Sequence, residues 1–120
     1  MVHAKNKGSS YERKIRLELR EMGWDKCETS RFANRERDNE LVDLVNTEPF
    51  NFQLKATERS PSYHTLLNDM PKDGNINAVI HKRNRQGEVV VLMKEDFYKL
   101  IAHESKKAQQ KKQGKDRGKA

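Results

Sequence analysis

The stretch from Asp43 to Lys55 reads DLVNTEPFNFQLK, and how it is folded decides the architecture of the chain. Its first half belongs to the apolar run Leu41-Val42-Asp43-Leu44-Val45, which a carboxylate interrupts. Its second half opens Phe50-Asn51-Phe52-Gln53-Leu54-Lys55-Ala56, a strict alternation. On a strand, Phe50, Phe52, Leu54 and Ala56 point to one face, while Asn51, Gln53 and Lys55 point to the other. The link Asn46-Thr47-Glu48-Pro49 is too short for a parallel crossover, so the two runs are predicted to pair as a hairpin. That pairing would set Asp43 beside Gln53 and Lys55. A carboxylate, an amide and an amine converging in a partly buried place suit a divalent metal next to a lysine.

Working outward, 120 residues that are 33% hydrophobic make one domain with a modest core. No apolar run reaches the roughly 20 residues of a membrane helix, and the first residues lack the apolar core of a signal peptide. A cytoplasmic protein with no membrane partner is expected. The single Cys27 excludes both an intrachain disulfide and a Cys-rich zinc site, and it reads as a half-buried strand residue. Charge is unevenly spread. From His103 to Ala120 seven basic residues face two acids, which accounts for +5 of the net +7. A nearly balanced body with a basic tail suits contact with nucleic acid, where phosphate binding is driven by counterion release. It also fits a tail that only aids solubility.

Before the central stretch, residues 1–8 read as a basic arm. Ser9 and Glu12 then have the spacing of a capping box, Tyr11, Ile15, Leu19 and Met22 recur at helical spacing, and Gly23 sits where a glycine ends a helix. Glu12 lies on the flank of the apolar stripe, able to face whatever the helix covers. Lys26 to Phe32 reads as a strand, and the charged run Asn34 to Glu40 as an exposed loop. After Lys55, Tyr63 to Leu67 reads as a short helix closed by Pro71 and Gly74. Ile76 to His81 and Glu88 to Met93 read as strands, the second apolar enough to be central or covered on both faces. Lys94-Glu95-Asp96 opens a helix that buries Phe97, Leu100 and Ile101. Residues 105–120 read as a disordered tail or an extension of that helix. The order is α-β-β-β-α-β-β-α, an α/β chain with a mixed sheet of about five strands and one domain over residues 9–104.

Phosphodiester hydrolysis needs a hard cation, usually magnesium, held by carboxylates, and a lysine to orient or deprotonate the attacking water. The set Glu12, Asp43, Gln53 and Lys55 offers those groups. With the run Lys7-Gly8-Ser9-Ser10-Tyr11-Glu12-Arg13, the pair Ser30-Arg31, the aspartate Asp43 and the triplet Gln53-Leu54-Lys55, the chain resembles the PD-(D/E)xK nuclease superfamily. Within it, the likeness is to the archaeal-type Holliday junction resolvases and their phage relatives, over roughly residues 5–93. The resemblance implies a restriction-endonuclease-like fold and a homodimeric endodeoxyribonuclease of DNA recombination and repair in a bacterial, archaeal or phage-infected cell. It implies that Glu12, Asp43 and Gln53 hold Mg2+, with Mn2+ as a substitute, and that Lys55 positions the water. Ser30 and Arg31 would place the scissile phosphate of branched DNA, a four-way junction. Lys5, Lys7, Arg13, Arg35, Arg37 and Arg59 would add phosphate contacts.

This sequence departs from the family pattern at Val42, where proline is usual, and at Gln53, where glutamate is. An amide oxygen ligates without charge, so Glu12, Asp38 or Glu40 would have to compensate. Singly, each residue also fits a plainer role: Glu12 closing a capping box, Asp43 at a strand end, Lys55 on an open face, His64 and His81 as surface or capping residues. Three readings therefore stand at this level: a junction resolvase, another endonuclease of the same fold acting on flaps, nicks or linear duplex, and a non-catalytic nucleic-acid-binding protein.

Overall fold

A computed structural model describes the backbone of residues 2–118 and the side chains of residues 9–108. The protein is mixed α/β. Helix α1 (Val2–Glu21) is followed by strand β1 (Glu28–Thr29), two short helices α2 (Ser30–Ala33) and α3 (Arg35–Asn39), and strand β2 (Leu44–Val45). Strand β3 (Phe50–Ala56), helix α4 (Tyr63–Asp69), strands β4 (Ile76–Arg83) and β5 (Gly87–Leu92), and helix α5 (Lys94–Gly118) complete it. β1 and β2 pair antiparallel, and β3, β4 and β5 form a second sheet in that order, parallel between β3 and β4 and antiparallel between β4 and β5.

The buried stripe of α1 is Tyr11, Ile15 and Leu19, which packs with Cys27, Leu44, Phe52, Leu54 and Ala78. This is the Phe50/Phe52/Leu54/Ala56 face of β3, as its alternation predicts. Met22, expected on the same stripe, is exposed because the helix ends before it. The ending is a Schellman arrangement: Trp24 N–H donates to the Leu19 carbonyl and Gly23 N–H to that of Arg20, with Gly23 at φ +116°. The start differs from expectation, since α1 begins at Val2 and Ser9 lies within it rather than capping it. Glu12 is thereby released from any capping role. The side chains of Lys5 and Lys7 lie outside the described residues.

Between β1 and β2 the expected strand and loop are replaced. The strand stops at Thr29, Ser30 opens α2, and the charged run forms α3 with Asn34 as its cap, the Asn34 Oδ1 accepting from the N–H groups of Glu36 and Arg37. No packing is needed for such an exposed turn of helix, which is why apolar periodicity did not reveal it. The predicted hairpin is also absent as a ladder. β2 pairs with β1 and not with β3; Asp43 makes the backbone link to the middle of β3, its N–H donating to the Phe52 carbonyl at 2.8 Å. The neighbouring ladder position is filled by a side chain, Asp43 Oδ2 accepting from Leu54 N–H at 2.7 Å.

β3 reaches β4 through α4, and on the sheet face away from α1 Leu67 and Met70 pack on Val79, with Val91 and Met93 alongside. β5, expected to be central, is the edge strand, with Val89 and Val90 about half exposed. The apolar face of α5 is likewise uncovered at Phe97 and Ile101, whereas Leu100 is partly buried. α5 continues past Glu104, so the tail takes the form of an extended helix to Gly118. Cys27 is fully buried, beside β1 and not within a strand.

Candidate metal-dependent active site

Asp43 is the joint of the site. Its carbonyl accepts from Ser30 N–H at 2.8 Å, its N–H and Oδ2 bind the edge of β3, and the preceding Val42 N–H donates to the Arg37 carbonyl. The carboxylate is thus locked between α2, α3 and β3, with Oδ2 held by a backbone donor and Oδ1 free of hydrogen bonds among the described residues. Glu12 approaches from α1, 7% exposed, and meets Arg31, whose guanidinium stands 3.3 Å from its Oε1. Arg31 also donates to Ser9 Oγ at 3.3 Å.

Burial and charge crowding raise both acids. Desolvation, then the neighbouring Asp43 charge, push Glu12 up to about 7, with Arg31 opposing and Asp38 adding. Desolvation also pushes Asp43 up to about 6; the Leu54 N–H opposes it, Asp38 adds to the rise, and Lys55 and Arg31 oppose it. Three carboxylates therefore share one electrostatic neighbourhood. Asp38 is placed by Ser30, whose buried hydroxyl donates to Asp38 Oδ1 at 3.3 Å. Sequence alone offered Asp38 only as a substitute for the charge that Gln53 lacks, and nothing in its spacing marks the Ser30 contact. The other such candidate, Glu40, is paired with Arg37 at 2.9 Å instead.

Lys55 is partly buried, forms no ion pair among the described residues, and lies within electrostatic reach of Asp43. Gln53 shares its face of β3, 5% exposed, with an Oε1 that has no hydrogen-bond partner. A buried amide oxygen left unpaired is costly. Gln53 makes no hydrogen bond to either carboxylate among the described residues. Across β4, His81 pairs in register with Lys55. Read from sequence as a surface or capping residue, it is buried: its Nε2 reaches the Thr57 carbonyl at 2.8 Å and its Nδ1 the Tyr63 hydroxyl at 2.9 Å. A carbonyl only accepts, so Nε2 donates to Thr57. The ring fixes the end of β3 that bears Lys55.

The remaining basic residues divide. Arg13 and Arg31 are exposed at a cavity of about 290 Å³ that also has Glu12 and Phe32 in its wall. Arg35 and Arg59 are exposed elsewhere on the surface. Arg37 is engaged by Glu40, by Asp73 at 3.0 Å and by Asn51 at 3.1 Å. Ser30 faces Asp38 and Asp43 rather than solvent, which makes it a support for the acids.

Among the described residues no group of three or more His, Cys, Asp and Glu side chains is arranged to hold a metal ion. The donors present are of the kind a hard divalent cation takes: two carboxylates and one unpaired amide oxygen on the lysine's face. Compared with known protein families, curated proteins and solved structures, the chain matches none. No helix among the described residues is long and apolar enough to cross a membrane.

Proposed function

We propose that this protein is a metal-dependent, structure-selective DNA endonuclease with a restriction-endonuclease-like fold, most closely a Holliday junction resolvase. The observation that carries the reading is the pair Glu12 and Asp43: a buried and a half-buried carboxylate in one electrostatic neighbourhood, Asp43 fixed by backbone contacts and Glu12 met by Arg31, with Lys55 in electrostatic reach of Asp43. Desolvation and neighbouring charge penalise ionisation of both groups, and a bound cation would offset that penalty. Glu12, Asp43 and Gln53 would hold Mg2+, or Mn2+ in its place. The cation supplies charge neutralisation at the phosphate and a lowered pKa for water. Asp43, locked to Leu54 N–H, sets the position of the reacting phosphate relative to β3. Lys55 orients the attacking water and steadies the negative charge that develops, and Arg31, freed from Glu12, takes a non-bridging phosphate oxygen.

A homodimer accords with the half-exposed Val89 and Val90 on edge strand β5 and with Phe97 and Ile101 on α5. Two symmetric copies would make paired cuts in a four-way junction. The second reading, a non-catalytic DNA-binding protein, is favoured by the uncharged Gln53. A panel of labelled junction, flap, nicked and linear duplex DNA with magnesium decides among the readings. Symmetric junction nicks that vanish in Asp43→Ala are expected. A preference for linear duplex would move the assignment to another endonuclease of this fold, and junction binding without any cleavage to the non-catalytic protein.

A further inference from the structure

Phe32 is 84% exposed, the highest of the large hydrophobic residues among those described. Its exposure is built in. Ser30 is fully buried, tied through its N–H to Asp43, its hydroxyl to Asp38 and its carbonyl to Asn34 N–H. Two residues on, a helix has turned by about 200°, so anchoring Ser30 inward drives Phe32 outward. The ring stands in the wall of the cavity of about 290 Å³ that also contains Glu12, Arg13 and Arg31. An aromatic face flanked by arginines beside an acidic centre is the arrangement that stacks a nucleobase while its phosphates meet guanidinium groups.

We propose that Phe32, with Arg13 and Arg31, forms a stacking site for an unpaired base at a DNA branch point. The inference rests on the nuclease reading and adds how branched DNA is told from duplex. In intact duplex both faces of every base are covered by neighbours, and only a branch, end or single strand presents one to Phe32. Arg31 joins the two places, since it lines the cavity and pairs with Glu12.

The test uses a four-way junction with the fluorescent base 2-aminopurine at the branch, and a linear duplex carrying it internally, both bound in EDTA. Wild type should change the branch fluorescence and not that of the duplex. Phe32→Ala should lose about 10- to 100-fold in junction affinity with duplex affinity unchanged. Phe32→Trp should restore both signal and affinity, and Phe32→Leu, apolar without an extended π-face, should behave as Ala. Equal junction binding by wild type and Phe32→Ala overturns the proposal, as does equal loss on both DNAs. So does a change of oligomeric state in sedimentation with the fluorescence response intact, which would make Phe32 a protein contact. Junction cleavage by wild type in magnesium is measured alongside. Cleavage with a silent Phe32→Ala sinks the stacking site alone, and Phe32-dependent binding without cleavage sinks the nuclease reading alone.

Discussion

Two polar clusters border β3, and they are built in opposite ways. Asn51, fully buried, accepts from Arg37 and Asn75 and donates to Asp73 and Asn77, so every position of its amide is filled. Asp73 follows the same pattern: burial pushes its carboxyl up, but the hydrogen bonds from Asn75 N–H, Asn51 and Arg37 outweigh it and hold it below the usual range. A few residues along, Gln53 has an unpartnered oxygen, and Glu12 and Asp43 are raised to about 7 and about 6. A saturated network locks α3 and the turn before β4 onto the sheet. The other leaves the Gln53 amide oxygen and Asp43 Oδ1 unpartnered among the described residues, with Asp43 held by backbone contacts.

The contrast can be broken from either side. Asp43→Asn keeps an acceptor for Leu54 N–H but removes the charge, so junction cleavage in magnesium should fall about a thousandfold while circular dichroism stays native and the melting temperature is no lower than that of wild type. Unfolding of that variant would show the charge to be structural. Lys55→Ala should cost about a hundredfold in the single-turnover rate with metal affinity retained, which separates a water-positioning lysine from a solvated one. On the saturated side, Asn51→Ala should lose about 2 kcal/mol in urea unfolding, because several buried partners lose their bonds, and leave the cleavage rate of the folded enzyme unchanged.

The smallest effect is the most diagnostic. Glu12 keeps its proton in the folded protein up to about pH 7 but releases it above about 4.5 when unfolded, so the metal-free protein should lose stability as pH rises through that window. Asp43 acts in the same sense between about 3.8 and 6. Glu12→Gln should therefore raise stability by about 1 kcal/mol at pH 8 and by nothing near pH 4, measured by urea titration. A destabilised Glu12→Gln at pH 8 would mean that the Arg31 pair outweighs the buried charge.

Much of this was legible wherever one residue type dictates one geometry. Gly23 marked the end of α1, and the alternation from Phe50 to Ala56 marked β3 and its faces. Residues whose placement depends on a distant partner were not legible. Ser9 had the spacing of a cap but lies inside a helix, and Asp43 takes a ladder position with its side chain, which no pattern of apolar residues encodes. The apolar run Val89–Met93 called for burial and received an edge, because sequence does not say which strand of a sheet stands last. For the candidate site, Glu12, Asp43 and Lys55 came from motif order and Asp38 only as a substitute charge, whereas the Ser30–Asp38 contact and the burial of His81 came from the fold.

Calorimetric titration of Mn2+ into the purified protein at pH 8 measures whether the unsaturated cluster takes a cation. Saturable binding is predicted for wild type, unchanged in Asn51→Ala and absent in Asp43→Asn, with affinity falling as pH drops below 7. Absence of saturable binding in wild type, or equal binding in Asp43→Asn, would contradict the assignment of Glu12 and Asp43 as the metal site.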